Sequence, residues 1–246
     1  FSNTELTKIF IPNSVTTISD NAFIGLSDLT IQADTGSVAK LHADKMGFNF
    51  ESTGIFNHEG DCGENASYFL DSENCVLTIS GTGAISDFKV LNSSIKTTTV
   101  PWIIYKDYVK KVVIEEGITE IGAYTFCDHS SLKEISYPKG ITKIGESSFE
   151  QCSSLESITI PDGVVSVGNY AFRGCAIPEE ITIPDSVTDI GRECFKNCKN
   201  LCSVKLPGNI ENLQYGLFYG CDALTVLDIP DSVTSIGYRA FRNCTK

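Results

Sequence analysis

LESITIPDGVVSVGNYAFRGC (155–175), IPDSVTDIGRECFKNC (183–198) and IPDSVTSIGYRAFRNC (229–244) are variants of one pattern. Phe126, Phe149, Phe172, Phe195, Phe218 and Phe241 stand 23 residues apart. Pro138, Pro161, Pro184, Pro207 and Pro230 keep the same spacing, as do Cys152, Cys175, Cys198, Cys221 and Cys244. Three ladders with one period over more than a hundred residues are the signature of stacked structural repeats. Ile158-Thr159-Ile160 alternates as a short strand with its apolar side inward. Proline ends that strand, and Pro-Asp-Gly or Pro-Asp-Ser makes the turn. Val187 and Ile190 then point inward before Gly191, where the backbone turns or meets a neighbour. Ala171-Phe172 is read as one helical or 3₁₀ turn whose phenylalanine plugs the coil interior. One coil cannot bury this set alone, whereas stacked coils can, with successive strands about 4.8 Å apart in a parallel sheet.

The pattern extends outward unevenly. Leu6, Ile9, Ile11, Pro12, Val15, Ile18, Ala22 and Phe23 repeat the offsets of Leu155 to Phe172. In the coil before the first proline, Glu115 takes the proline place and His129 the cysteine place. These strings closely resemble the 23-residue leucine-rich repeats of the BspA-like surface protein family, over roughly residues 1–31 and 111–246. The resemblance implies a curved solenoid, extracellular placement and an adhesive or protein-binding role. Two departures stand out: Pro178 replaces the repeat leucine, and PGNIENLQYGL (207–217) lacks the glycine after Leu213, so that coil is expected to be irregular.

Residues 32–110 break the period. Gly36-Ser37 followed by Val38, Leu41 and Ala43 reads as an N-cap and a short amphipathic helix ending near Gly47, able to close a first run of coils. Phe48 and Phe50 alternate like a strand. Ala66–Leu70 and Cys75–Ile79 flank Asp-Ser-Glu-Asn as a β-hairpin. GDCGENASYFLDSENCVLTISGTG (60–83) with the later Pro101-Trp102 resembles the β cap that opens many arrays of the family. FKVLNSSIKTTT (88–99) is expected to be an exposed loop. The fold class expected is a leucine-rich-repeat solenoid, horseshoe-like but β-rich, interrupted by a β-hairpin cap and a short helix. The division expected is 1–52 as the end of a first array with a helical cap, 53–110 as the hairpin cap of a second, and 111–246 as that second array of about six repeats. Both chain ends fall inside a repeat and are read as cuts in a longer secreted protein.

Composition narrows the function. The chain has 246 residues, 31 acidic against 19 basic side chains and a net charge of −12. The excess is shared by both halves, so no basic half exists to bind nucleic acid phosphates. No apolar run approaches a membrane helix, and no membrane insertion is expected in this segment. Hydrophobic residues at 41% suit a folded chain.

Catalytic motifs are missing: no HExxH, nucleophile elbow, P-loop or GxGxxG occurs. Gly81-Thr82-Gly83 reads as a turn. The cysteine ladder reads as small apolar thiols inside each coil, donating weakly to backbone oxygen. Cys194 is read as core. A Cys62–Cys75 disulfide is disfavoured, because the hairpin register centred on Ser72-Glu73 sets Cys75 opposite Leu70. Cys127-Asp128-His129 is read as a surface turn rather than a catalytic dyad. Asp162, Asp185 and Asp231 are read as turn formers rather than calcium ligands. Hence no enzyme, cofactor, metal site or catalytic residue is expected.

Solenoids recognise partners with the exposed side of their strands. Alternation puts Glu134, Ser136, Ser157, Thr159, Glu180, Thr182, Ser203, Lys205, Val226 and Asp228 there. That stripe is rich in hydroxyls and poor in Trp, Tyr and Arg, the usual interface anchors. Tyr170, Arg173, Tyr238 and Arg239, beside the phenylalanine turns, form a second candidate surface. Trp102 is assigned to cap core. The function expected is a monomeric, extracellular protein-binding or adhesion module with a host or matrix protein as partner. The alternative is a spacer within a larger surface protein.

Overall fold

Six phenylalanines at one coil position must either clash or stack, and the computed structural model stacks them. The structure describes residues 6–54, 57–92 and 97–246. Two compact units are present, Phe1–Glu59 with Phe69–Val76, and Gly60–Tyr68 with Leu77–Lys246.

In the first unit β1 (Lys8–Phe10) and β2 (Thr30–Ala33) pair in parallel, Ile9 beside Ile31. Helix α1 (Val38–Met46) begins where the Ser37 hydroxyl accepts a 3.3 Å bond from the Lys40 amide. It ends at Gly47, whose φ of 75° only glycine adopts without cost. The cap positions match the expectation, but the buried face does not. Ala39, His42 and Ala43 are buried while Val38 and Leu41 are half-exposed, because the His42 ring is drawn inward between Phe23 and Phe48. β3 (Asn49–Ser52) then adds to β2, Phe50 beside Ile31.

Next along the chain come β4 (His58–Asp61), β5 (Asn65–Asp71) and β6 (Val76–Ala84). The hairpin turn is Ser72–Cys75, one residue later than expected, with Cys75 inside it at φ 59°. Residues 88–99 hold more than a loop: β7 (Val90–Asn92) pairs antiparallel with β8 (Thr97–Thr98), and Phe88 is buried. The middle of that stretch, 93–96, lies outside the described residues.

Each following coil contributes two short strands, except the coil of Leu155–Cys175, which contributes β13 alone. They are β9 (Lys111–Ile114), β10 (Ile118–Ile121), β11 (Glu134–Ser136), β12 (Lys143–Ile144), β13 (Ser166–Val167), β14 (Glu180–Thr182), β15 (Asp189–Ile190), β16 (Ser203–Lys205), β17 (Asn212–Leu213), β18 (Val226–Asp228) and β19 (Ser235–Ile236). All pair in parallel with the strand one coil away. The inner ladder aligns Ile121, Ile144, Val167 and Ile190, none more than 1% exposed.

The interior is an aromatic column. Phe126, Phe149, Phe172, Phe195, Phe218 and Phe241 stack at centroid distances of 5.3, 5.5, 5.7, 5.7 and 5.8 Å. Trp102 continues it 6.1 Å from Phe126, with Tyr68 and Phe88 edge-on at 5.1 and 5.8 Å, so Trp102 is cap core. The turns that carry the rings are not helical, contrary to expectation. Tyr124, Ser147, Tyr170, Glu193, Gly216 and Arg239 are left-handed, and so are Asp128, Gln151, Gly174, Asn197, Gly220 and Asn243. Two reversals per coil in place of a helical turn bring the chain round within a few residues.

The anomalous 207–217 coil shows what the repeat glycine does. A Cβ on Gly191 would stand 2.3 Å from the Asn169 amide nitrogen, and one on Gly168 2.5 Å from that of Glu146. Gly145, Gly168, Gly191 and Gly237 each donate to the preceding coil, Gly168 to Ile144 at 2.8 Å. Gln214 makes no such bond, and the ladder stops between β15 and β17.

Two stability changes follow. Phe172→Ala should lower unfolding free energy by about 3–5 kcal/mol, the range for emptying a packed aromatic site, as read by urea denaturation; a loss under about 1 kcal/mol would place Phe172 outside the core. Gly168→Ala should cost about 1–3 kcal/mol through overpacking, whereas Gln214→Gly should raise the melting temperature by letting the two coils close.

Candidate functional site

Most of the thiols and imidazoles are buried, eight of the ten cysteines and two of the three histidines. Cys152, Cys175, Cys198, Cys221 and Cys244 donate Sγ–H to the carbonyls of Phe126, Phe149, Phe172, Phe195 and Phe218 at 2.9–3.3 Å. Each of these carbonyls also accepts a backbone amide of its own coil, that of His129 at Phe126 and of the cysteine at the other four, as Phe149 does from Cys152 at 3.1 Å. The ladder therefore satisfies both lone pairs of a buried carbonyl. Burial holds the Cys152 and Cys198 thiols well above their ordinary range and pushes Cys221 and Cys62 up to about 12. Cys194 is fully buried beside Phe195, as expected. All ten cysteines are thiols, Cys62 and Cys75 among them.

Cys127-Asp128-His129 is not a surface turn. Cys127 and His129 are 1% and 0% exposed. The His129 Nδ1–H donates to the Cys127 carbonyl at 3.1 Å, not to its thiol, and Nε2 is buried without a partner. The imidazole occupies the thiol place of the ladder, edge-on to Phe126 at 5.9 Å. Desolvation drives its pKa down to about 4. It is a neutral filler with no access to substrate. Asp185 is the turn former expected, accepting the Gly208 amide at 2.8 Å. Among the described residues no group of three or more His, Cys, Asp or Glu side chains is placed to hold a metal ion.

The outer strand face assembles in two rows. Glu180, Ser203 and Val226 are adjacent across β14, β16 and β18, as are Thr182, Lys205 and Asp228. Ser203 is half-buried, and the other five are exposed. Glu134 and Ser136 lie on β11, which pairs with β9, and Glu134 meets Lys111 at 3.2 Å. Ser157 and Thr159, expected on a strand between β11 and β14, are on none. Residues 157–160 make no backbone hydrogen bond; the last before them is Glu156 to Lys133, and bonding to the preceding coil resumes with Val165 to Thr142. Pro178, which cannot donate a backbone hydrogen bond, stands in the adjoining coil just ahead of β14. Grooves of about 540 Å³ flank the unpaired segment. One is lined by Tyr137, Thr159 and Asp162, the other by Ile158, Thr182, Asp185 and Lys205. Periodicity alone did not disclose this opening, since 155–160 spells a strand as well as any other repeat.

The opposite, turn side gathers tyrosines and arginines. Arg173 and Arg192 lie over the Tyr170 ring at 5.6 and 5.3 Å, Lys196 over Tyr219 at 4.8 Å, and Arg239 over Tyr238 at 4.8 Å. The pairs involving Arg192, Lys196 and Tyr219 were missed by sequence reading. Their signal was the one-coil offset, 22 residues from Tyr170 to Arg192 and 23 from Lys196 to Tyr219.

A solenoid of 23-residue coils, with its reactive groups sealed inside, is a leucine-rich-repeat protein. The BspA type leucine rich repeat region matches six copies over residues 1–41 and 104–246, and the chain belongs to that family. No curated protein matches it. Among solved structures it is similar to the leucine rich repeat protein of T. pallidum, with 28% identity, a TM-score of 0.56, and coverage of 72% of this chain and 86% of that one. It is likewise similar to a leucine rich cell surface protein of Faecalibacterium prausnitzii A2-165, with 28% identity, a TM-score of 0.57, and coverage of 76% and 52%. The chain thus spans about half of that second protein. The family is of bacterial surface-protein type, no enzymatic family is indicated, and no helix among the described residues is long and apolar enough to cross a membrane.

Two measurements address the buried groups. Unfolded chain binds a proton at His129 below about pH 6.5, folded chain only near 4, so stability is intact above 6.5 and falls by about 3 kcal/mol on acidification to 4. Urea melts against pH should show that loss, and His129→Cys should flatten it. Thiol titration of folded protein should reach only the half-exposed Cys202 and Cys244, against all ten in denaturant; fewer than about six thiols in denaturant would contradict a reduced ladder.

Proposed function

We propose that this chain is a non-catalytic protein-binding module of an extracellular bacterial surface protein, acting as a monomer and holding an extended segment of a host or matrix protein along its strand face. The observation that carries this reading is the break in the outer ladder. Ser157–Ile160 leaves its backbone donors and acceptors unpaired between two grooves. Unpaired strand backbone is a template for a further strand, with backbone bonds giving affinity and neighbouring side chains giving selectivity. The residues proposed to contact the partner are Glu134, Ser136, Ser157, Thr159, Glu180, Thr182, Ser203, Lys205, Val226 and Asp228. Similarity to a leucine rich cell surface protein supports the location. The division into a first array ending at 52, a cap over 53–110 and a second array over 111–246 belongs to the same proposal.

The scarcity of aromatic anchors on the strand face favours a second reading, a spacer. The two part in one experiment. Against a panel of immobilised surface and matrix proteins, the chain should bind a partner at micromolar strength or better. Thr159→Arg, filling both grooves at an exposed position, should weaken that binding at least tenfold without altering the melting temperature. No binding, together with full attachment but shorter reach when one array is deleted, would establish the spacer instead.

A further inference from the structure

The chain has four arginines, Arg173, Arg192, Arg239 and Arg242, and all lie on the turn side of the last coils. Tyr170, Tyr215, Tyr219 and Tyr238 line the same side, so a basic, aromatic stripe runs along a protein of net charge −12. Two of its members are internally neutralised: Arg173 faces Glu150 at 3.6 Å and Lys196 faces Glu193 at 2.6 Å. Among the described residues Arg192, Arg239 and Arg242 have no carboxylate partner, and all three are exposed. Arg192 and Arg239 are nevertheless held in place. Arg192 lies on the Tyr170 ring, and Arg239 lies on Tyr238 with its Nη1 donating to the Tyr215 hydroxyl at 3.4 Å.

The backbone adds a second observation. Tyr170 and Arg239, at φ 58° and 63°, occupy the left-handed position that recurs in every coil and is Gly216 in the coil two after Tyr170 and one before Arg239, so their side chains leave equivalent points of the turns. Tyrosine and arginine are also the residues that dominate interface energetics, and a pre-positioned guanidinium binds carboxylate through two parallel hydrogen bonds.

We infer that this turn-side stripe, centred on Tyr170, Arg192, Tyr215 and Arg239, is a second docking surface, separate from the strand face, and that it takes an acidic polypeptide segment rich in Asp and Glu. Charge complementarity selects the occupant: exposed guanidinium groups without a carboxylate partner, on a protein of net charge −12, favour a carboxylate-bearing partner. The class of polymer follows from the rings. The guanidinium groups already cover tyrosine faces, so those faces are not open for a sugar to stack upon, while the charged groups remain exposed.

The test is binding of fluorescent poly-L-glutamate to the whole chain at low salt, measured by anisotropy, with polygalacturonate as the acidic polysaccharide. A protein of this net charge repels a polyanion unless a local site overcomes the field. Binding is expected, weakening as salt rises. Arg192→Gln with Arg239→Gln should weaken it at least tenfold, Arg192→Lys and Arg239→Lys should recover only part, and Thr159→Arg should leave it unweakened. The Gln changes are at exposed side chains, and unchanged melting temperatures would certify folding. No poly-L-glutamate binding, binding indifferent to both Gln substitutions, or tighter binding of polygalacturonate would each overturn the assignment. Because Thr159→Arg addresses only the strand face, failure of the stripe and failure of the strand-face reading are distinguishable.

Discussion

Each coil must place one aromatic ring directly above the ring of the coil before it. The centroid spacing of 5.3–5.8 Å along Phe126 to Phe241 is close to the roughly 4.8 Å between hydrogen-bonded strands. One coil pitch therefore serves ring stacking and backbone pairing together. Everything else is arranged to protect that pitch. Glycines at 145, 168 and 191 let neighbouring backbones touch, and left-handed residues fold the chain back before and after each ring. Cysteine thiols use up the second lone pair of each phenylalanine carbonyl. A buried polar group without a partner costs several times the net gain of one hydrogen bond, so a thiol there is worth more than its small apolar volume suggests.

Where one of these parts is replaced, the consequence is local. Gln214 in a glycine place interrupts the inner ladder between β15 and β17, while Phe195 and Phe218 stay stacked at 5.7 Å. His129 in a thiol place keeps the aromatic contact but leaves one ring nitrogen unpaired. Stacked repeats behave in this way because each coil contacts only its neighbours, so a fault is confined to one interface.

The same sealing explains why function falls to surfaces. The His129 imidazole and the Cys152 and Cys198 thiols are fully buried, and burial shifts each toward its neutral, unreactive form. What remains outside is two unlike faces. The strand side is polar and opens at 157–160; the turn side carries arginines laid on tyrosines.

The sequence by itself determined the coil length, the inward residues, the aromatic column, the helix caps at Ser37 and Gly47, and the irregularity after Leu213. Those depend on periodicity and on residues whose backbone preferences are intrinsic, so one chain read in order discloses them. Tertiary structure alone decided that Cys127 and His129 are buried, that His42 turns into the core, that 155–160 forms no strand, and that Arg192 reaches Tyr170 across a coil. In each case the outcome is set by what the neighbouring coil offers, a cavity, a ring or a missing backbone partner, and such offers arise only once residues 23 positions apart are brought together.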